Sequence, residues 1–190
     1  MIKPQALQKN STIGILSPSY WLDREILSIT SKYFTDLGYR LKFGKSNELK
    51  WGPFAGLPEQ RADDIHEMFA NSDIDAIFCA RGGYGANRVL PLLDYNLIKE
   101  NPKIFIGYSD ITAMLTSITQ KTSMVTFHGP MLTTYKDSWV EYNYSLMQRV
   151  LSGEKFIKIY SPDGLETKIL KHGIAHGPLW GGNMCLLINR

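Results

Sequence analysis

Only two cysteines, Cys79 and Cys185, occur among 190 residues, so no disulfide framework can form, and both read as reduced thiols of a cytoplasmic protein. No stretch approaches the ~18 consecutive apolar residues that a membrane-spanning helix needs. The first residues, Met1 to Asn10, lack the apolar core of a secretory leader. None of the four histidines stands in an H-x-x-x-H or Cys/His spacing, which leaves no pattern for a bound metal. Blocks of like charge are missing as well. The 21 basic and 18 acidic residues are scattered and sum to +3, without the basic stripe that nucleic acid would require. What remains is 44% hydrophobic and 21% charged, the composition of a globular domain long enough for one well-buried core.

Within that composition, short apolar runs alternate with amphipathic stretches. This is the pattern of an α/β protein with a mostly parallel sheet covered by helices on both faces. Strands are expected at Thr12–Leu16, Tyr39–Phe43, Ile74–Ala80, Lys103–Gly107 and Met124–Phe127. Near-continuous apolar runs such as Ile104-Phe105-Ile106 fit burial on both sides. Helical spacing predicts helices over Asp23–Leu37, Pro58–Ala70, Asn87–Leu93, Ile111–Thr119 and Ser145–Leu151. Phe156–Tyr160 alternates like an edge strand. Gly181-Gly182-Asn183 ahead of an apolar run reads as the start of a helix with no stop signal, the expectation for a chain that continues further. The division expected is a 1–134 domain followed by a 135–190 connecting segment that begins a second one.

Successive parallel strands place their C-terminal ends on one edge of the sheet, where ligands bind. Three turns share that edge: Arg81-Gly82-Gly83-Tyr84-Gly85, Gly107-Tyr108-Ser109-Asp110 and His128-Gly129-Pro130. A serine on a sharp strand-to-helix turn is exposed and close to a helix N-terminus, which suits a nucleophile. Ser109 is therefore the candidate attacking group, although the second glycine of G-x-S-x-G is absent and an N-cap role is the alternative. The flexible Arg81–Gly85 loop and the Asp110 amide offer N–H donors for an oxyanion beside it. His128 is the only histidine on this edge, with Asp110 or Asp94 to orient it. A strand-end histidine bonded to backbone is the plainer reading, so no convincing triad emerges. Gly83-x-Gly85 is not a dinucleotide fingerprint: it follows the third strand, Arg88 stands where the third glycine belongs, and no cofactor is expected. The loop around Trp51-Gly52-Pro53-Phe54 is a candidate for lining a specificity pocket, or simply a packed surface loop.

Arg81-Gly-Gly-Tyr-Gly-Ala-Asn-Arg88, Leu93-Asp-Tyr95, Asn101 through Thr112, Thr126-Phe-His-Gly-Pro-Met131 and Gly181-Gly-Asn183 occur in that order. With Ile13-Gly-Ile-Leu-Ser-Pro-Ser19 and Gly56-x-x-x-x-Arg61, they make the chain strongly resemble the LD-carboxypeptidase family of serine peptidases (S66). That family includes muramoyltetrapeptide carboxypeptidases and microcin C self-immunity proteins. The resemblance implies a two-domain enzyme with a flavodoxin-like N-terminal half. It implies Ser109 as nucleophile, an oxyanion hole from the amides of Gly82, Gly83 and Asp110, and Arg81 and Asn183 as contacts for the substrate's terminal carboxylate or peptide. It also places the catalytic glutamate and histidine after the Gly-Gly-Asn segment, beyond residue 190, which argues against His128 as base and implies an inactive fragment. The substrate implied is a murein peptide or related small peptide, with no metal and no cofactor, and a homodimer is an option. A microcin C-type peptidase, a non-catalytic small-ligand module and a nucleotide-binding flavodoxin-like protein are the rival readings.

Overall fold

A computed structural model describes residues 1–161, 166 and 168–188. Its centre is a five-stranded, wholly parallel sheet in the order β2-β1-β3-β4-β5. The strands are β1 (Thr12–Leu16), β2 (Arg40–Phe43), β3 (Ala76–Cys79), β4 (Ile104–Gly107) and β5 (Phe127–His128). The helices are α1 (Arg24–Asp36), α2 (Pro58–Ala70), α3 (Tyr95–Glu100), α4 (Thr112–Thr122), α5 (Glu141–Leu151) and α6 (Met184–Ile188). None of them is long and apolar enough to cross a membrane.

Strand side chains alternate between the two faces, and two cores follow from that alternation. Ile13, Ile15, Ala76, Phe78, Ile104 and Ile106 enter one core with Phe34 of α1 and Met147 and Leu151 of α5. Leu16, Ile77, Cys79 and Phe105 enter the other with Ile65 and Phe69 of α2, Ile98 of α3 and Met114 and Ile118 of α4. Covering a parallel sheet on both sides requires strands apolar at consecutive positions, and β1, β3 and β4 are buried at every residue. The edge strand β2 is mostly exposed.

Local chemistry sets the helix ends. Asp23 caps α1 by accepting the Glu25 N–H at 2.9 Å. Pro58 occupies the first turn of α2, where its missing N–H costs nothing. At the other end of α2, Lys103 is buried and donates its ammonium to the carbonyls of Met68 and Asn71, and burial lowers its pKa. Asp94 caps α3 through the N–H groups of Asn96 and Leu97.

Three expectations need correction. No α-helix spans Asn87–Leu93. Pro91, with its ring and no N–H, sits in that run, which closes instead as two 3-10 turns, Ala86–Arg88 and Leu90–Leu92. The α-helix forms one step later, at α3, once Asp94 supplies a cap. The fifth strand lies at Phe127–His128 and not Met124–Phe127. Ile2 pairs with Met124 in an isolated parallel bridge, and the backbone there exchanges bonds with Ile2. Phe156–Tyr160 forms no strand despite its alternation: it joins no ladder among the described residues, its Tyr160 carbonyl accepts instead from the Tyr142 hydroxyl at 2.6 Å, and Phe156 is 98% exposed. Smaller differences trim the second and third strands and lengthen α5 to begin at Glu141.

Candidate functional site

The order 2-1-3-4-5 reverses direction between β1 and β3, so a crevice opens at the C-terminal ends of those strands. Three loops meet there: Ser17-Pro18-Ser19 after β1, Arg81–Gly85 after β3, and Tyr108-Ser109-Asp110 after β4. An open cleft of about 370 Å³ is lined by Arg81, Gly82, Gly83, Tyr108 and Ser109. Leu22, Ile26, Met131, Thr133 and Lys136 complete its wall.

Ser109 has φ +59°, in the left-handed region that non-glycine residues rarely enter. Such a residue stores roughly 1–3 kcal/mol of strain, which persists only where the surroundings impose it. The surroundings here are tight. Tyr108 is extended, Ser109–Ile111 forms a 3-10 turn, and α4 starts at Thr112. A Cβ on Gly107 would lie 2.8 Å from Ile111, so the strand and the turn touch directly. The serine is thus held on a sharp elbow at the head of α4, half-buried at the cleft.

Across the cleft stands the glycine loop. A Cβ on Gly82 would sit 3.3 Å from the Ser109 Cβ and 3.5 Å from the Asp110 amide nitrogen, so the two backbones approach closely. Gly83 has φ +140°, and a side chain there would strike Tyr20 at 2.4 Å. Gly83 is therefore required both by its backbone and by space, whereas a side chain at Gly82 would press on Ser109 by a few tenths of an ångström. Arg81 is half-buried, donates to the carbonyls of Gly82 and Trp21, and lies 5.5 Å over the Tyr20 ring.

The Asp110 carboxylate turns away from the cleft. It is 5% exposed and accepts the Ser19 hydroxyl at 2.5 Å and the Ala86 N–H at 2.9 Å. Arg61, from α2, reaches the same loops from below: its Nη1 donates to the carbonyls of Pro18 (2.8 Å) and Gly85 (3.1 Å). Burial depresses the Arg61 pKa; Arg88 pushes it the same way, while Asp110 opposes. A second buried carboxylate, Asp64, ties the loop after β2 by accepting from the N–H groups of Lys45 and Ser46 and the Ser46 hydroxyl. Burial raises its pKa despite those bonds.

The sequence-selected residues divide into two groups. Ser109, Gly82, Gly83 and Arg81 share one cleft, with the Asp110 backbone beside them. His128 is exposed at the end of β5, its ring 6.3 Å from that of Tyr108, and it does not line the cleft. Asn183 is exposed on the far side of Thr112. Its N–H donates to the Thr112 hydroxyl at 3.0 Å and its Oδ1 accepts the Leu186 N–H, so it caps α6. The Trp51–Phe54 loop adds nothing to the lining. Its ends exchange backbone bonds, and Phe54 is buried against Tyr20 and beneath Gly85. Sequence reasoning missed Ser19 and Lys136. The edge rule that selected the other turns would have found Ser19, which follows β1, whereas Lys136 arrives from beyond β5.

A doubly covered parallel sheet thus presents Ser109, at φ +59°, on a strand-to-helix elbow at the edge where the strands end. Residues 13–129 match the peptidase S66 family, described as the LD-carboxypeptidase N-terminal domain. The chain belongs to that family of peptidases. Over 187 residues it is 37% identical to a probable murein peptide carboxypeptidase of Bacillus subtilis, covering 97% of this chain and 58% of that protein. Over 95 residues, half of this chain and 28% of the relative, it is 43% identical to the microcin C7 self-immunity protein MccF of Escherichia coli. Among solved structures, MccF in complex with aspartyl sulfamoyl adenosine superposes with a TM-score of 0.83 at 28% identity, over 97% of this chain and 64% of that one. An MccF-like protein from Bacillus anthracis gives 0.76 at 34% identity, over 80% and 47%. The chain thus spans roughly three fifths of the first of these relatives.

Proposed function

We infer that this chain carries the nucleophile of a serine carboxypeptidase that hydrolyses an L,D-peptide bond to a terminal D-alanine in murein tetrapeptides. The observation that carries the reading is Ser109 at φ +59°, at the head of α4 and facing Gly82 across an open cleft. Membership in a peptidase family supports it, as does the likeness to a probable murein peptide carboxypeptidase.

In this reading the Ser109 hydroxyl oxygen attacks the scissile carbonyl carbon, and the carbonyl electron pair moves onto oxygen. The amides of Asp110, Gly82 and Gly83 receive that oxyanion, a contribution of about 10²–10³ in rate per donor. Collapse expels the D-alanine amine, which takes up a proton, and leaves an acyl ester on Ser109. Water then attacks the ester and restores the serine. Arg81, already on the cleft wall, receives the terminal carboxylate. Lys136 offers a second cation there. Asn183, which caps α6 and does not line the cleft, is the remaining candidate contact. The proton carrier is the glutamate–histidine pair that the family likeness puts after Gly181-Gly182-Asn183, so residues 1–190 alone are inactive, because a serine at its free pKa is a poor nucleophile. In this reading the enzyme works in the cytoplasm without cofactor, with residues 1–134 as the nucleophile-bearing domain and 135–190 as a connecting segment that begins the second.

Labelling with a serine-directed fluorophosphonate, mapped by peptide mass spectrometry on this chain and on a C-terminally extended one, tests the reading. Modification at Ser109 only in the extended protein is expected. Labelling of the short chain would point to an internal base, His128 first. No labelling of either would favour a non-catalytic module that binds a small ligand on the same sheet edge. A second reading within the family, cleavage of a microcin C-type amide joining a peptide to a nucleotide-like group, draws support from the superposition on MccF. Offering both substrates to the extended protein separates the two.

A further inference from the structure

We propose that Arg61 and Asp110 act as a positioning pair that clamps one peptide plane, Gly85–Ala86, from its two ends and thereby sets the glycine loop against Ser109. The inference rests on the Ser109 reading for its catalytic consequence, but not for its geometry. The Gly85 carbonyl accepts from Arg61 Nη1 at 3.1 Å, and the Ala86 N–H donates to Asp110 Oδ2 at 2.9 Å. These two groups belong to a single peptide unit and point in opposite directions in the trans form. The loop after β1 is held in the same way: the Pro18 carbonyl accepts from Arg61 and the Ser19 hydroxyl donates to Asp110.

Both ions are buried, Arg61 fully and Asp110 to 5% exposure, yet they make no direct ion pair among the described residues. Isolated buried charges are expensive. Here the peptide dipole lies between them with its oxygen toward the cation and its N–H toward the carboxylate, an arrangement that low dielectric strengthens. Among the described residues the Arg61 Nε and Nη2 have no partner, so the hydrogen bonding described for this side chain is directed at these two loops. Asp110 is the residue next to the nucleophile. Its carboxylate therefore fixes the distance between Ser109 and the loop that begins at Gly82, whose amides are proposed to take the oxyanion. Gly85, at φ +103° with Phe54 packed where a Cβ would go, gives the clamp a rigid seat.

The test uses the extended enzyme and three single variants, Asp110→Asn, Arg61→Met and Arg61→Lys, with the double variant Asp110→Asn/Arg61→Met. Asp110→Asn and Arg61→Met are expected to slow acylation of Ser109 about 10- to 100-fold with KM changed little, since a misplacement near 1 Å costs up to about that factor. The double variant should be no slower than the slower single one, because both remove one clamp. Arg61→Lys, which keeps the charge, should recover much of the loss. Hydrogen exchange at the Ala86 amide should accelerate in both charge-removing singles; if Arg61→Met does not fold, Ser19→Ala supplies a milder loss of the same kind. Unchanged acylation, additive losses, or an Ala86 amide as protected as in the wild type would overturn the clamp. Failure of the wild-type protein to label at Ser109 would sink the peptidase reading instead, and Ala86 exchange would still decide the clamp.

Discussion

Between Thr12 and Leu151 the large apolar side chains of the inner strands and of the inward faces of the helices are buried, with a few such as Ile29 and Val150 left exposed, while from Phe156 to Ile188 most described ones face outward. Phe156 is 98% exposed, Ile174 92%, Leu170 89% and Leu179 100%. Residue type is the same in both regions; partnership differs. In the sheet, each β-α crossover returns a helix onto the strands, so every inward position on both faces is covered. Among its described residues the later stretch has only the five-residue α6, held by the Asn183–Thr112 bond and by Leu186 against the α4 side of the core. In the reading above, Ser109 acts from the first region and its base comes from beyond the second.

The largest test of that contrast is on turnover. In the extended enzyme, Ser109→Ala should reduce hydrolysis of an L,D-tetrapeptide by on the order of 10⁶-fold, as loss of a nucleophile does elsewhere. The wild-type chain ending at residue 190 should be silent in the same assay. Turnover by the short chain would mean that the first region holds a complete site.

Thiol chemistry compares the regions at one atom each. Cys79 lies in β3 with no exposure, and burial drives its pKa up, whereas Cys185 on α6 is exposed. A thiol-specific reagent at neutral pH should modify Cys185 promptly. Cys79 should react at least about 10³-fold more slowly, since it must wait for a large opening of the sheet. Two fast thiols would mean that the α4 face of the core opens readily.

Core truncation measures the same difference in free energy. Phe78→Ala, in β3 with its ring edge-on to Phe34 at 5.7 Å, should cost about 3–5 kcal/mol. Phe156→Ala should stay within about 0.5 kcal/mol. Urea unfolding of both variants gives the comparison. A large loss at Phe156 would show that the later segment packs somewhere in solution.

The first region was legible because its inner strands β1, β3 and β4 are near-continuous apolar runs followed closely by glycine or proline, a pattern that burial on both faces forces. Ser109 was legible for the same reason: strand, tight turn and helix are adjacent in sequence. What escaped was set by distance along the chain. Pairing of Ile2 with Met124 moved β5, and a cap at Asp94 outweighed the helical spacing of 87–93. The Phe156–Tyr160 alternation promised a strand but found no edge to pair with. The hold of Asp110 on Ser19 spans 91 residues and that of Arg61 on Pro18 spans 43, so neither leaves a local mark.

The smallest test asks whether packing alone holds the α1 face. Tyr135 is buried among Phe34 and Trp139, with ring centroids 5.9 and 4.7 Å away, and its hydroxyl has no hydrogen-bond partner among the described residues. Removing a hydroxyl that makes no bond gives up little, so Tyr135→Phe should change stability at neutral pH by less than about 1 kcal/mol. Burial, aided by Glu141, raises the Tyr135 pKa to about 12. The unfolded chain, with tyrosine near 10, therefore loses its proton first as pH rises. Between pH ~10 and ~12 the native state binds more protons than the unfolded one, and stability falls through that window. The phenylalanine variant lacks this contribution, so its urea midpoint should decline less steeply above pH ~10 than that of the wild type. A loss of more than about 2 kcal/mol at neutral pH would mean that the hydroxyl has a hydrogen-bond partner in solution.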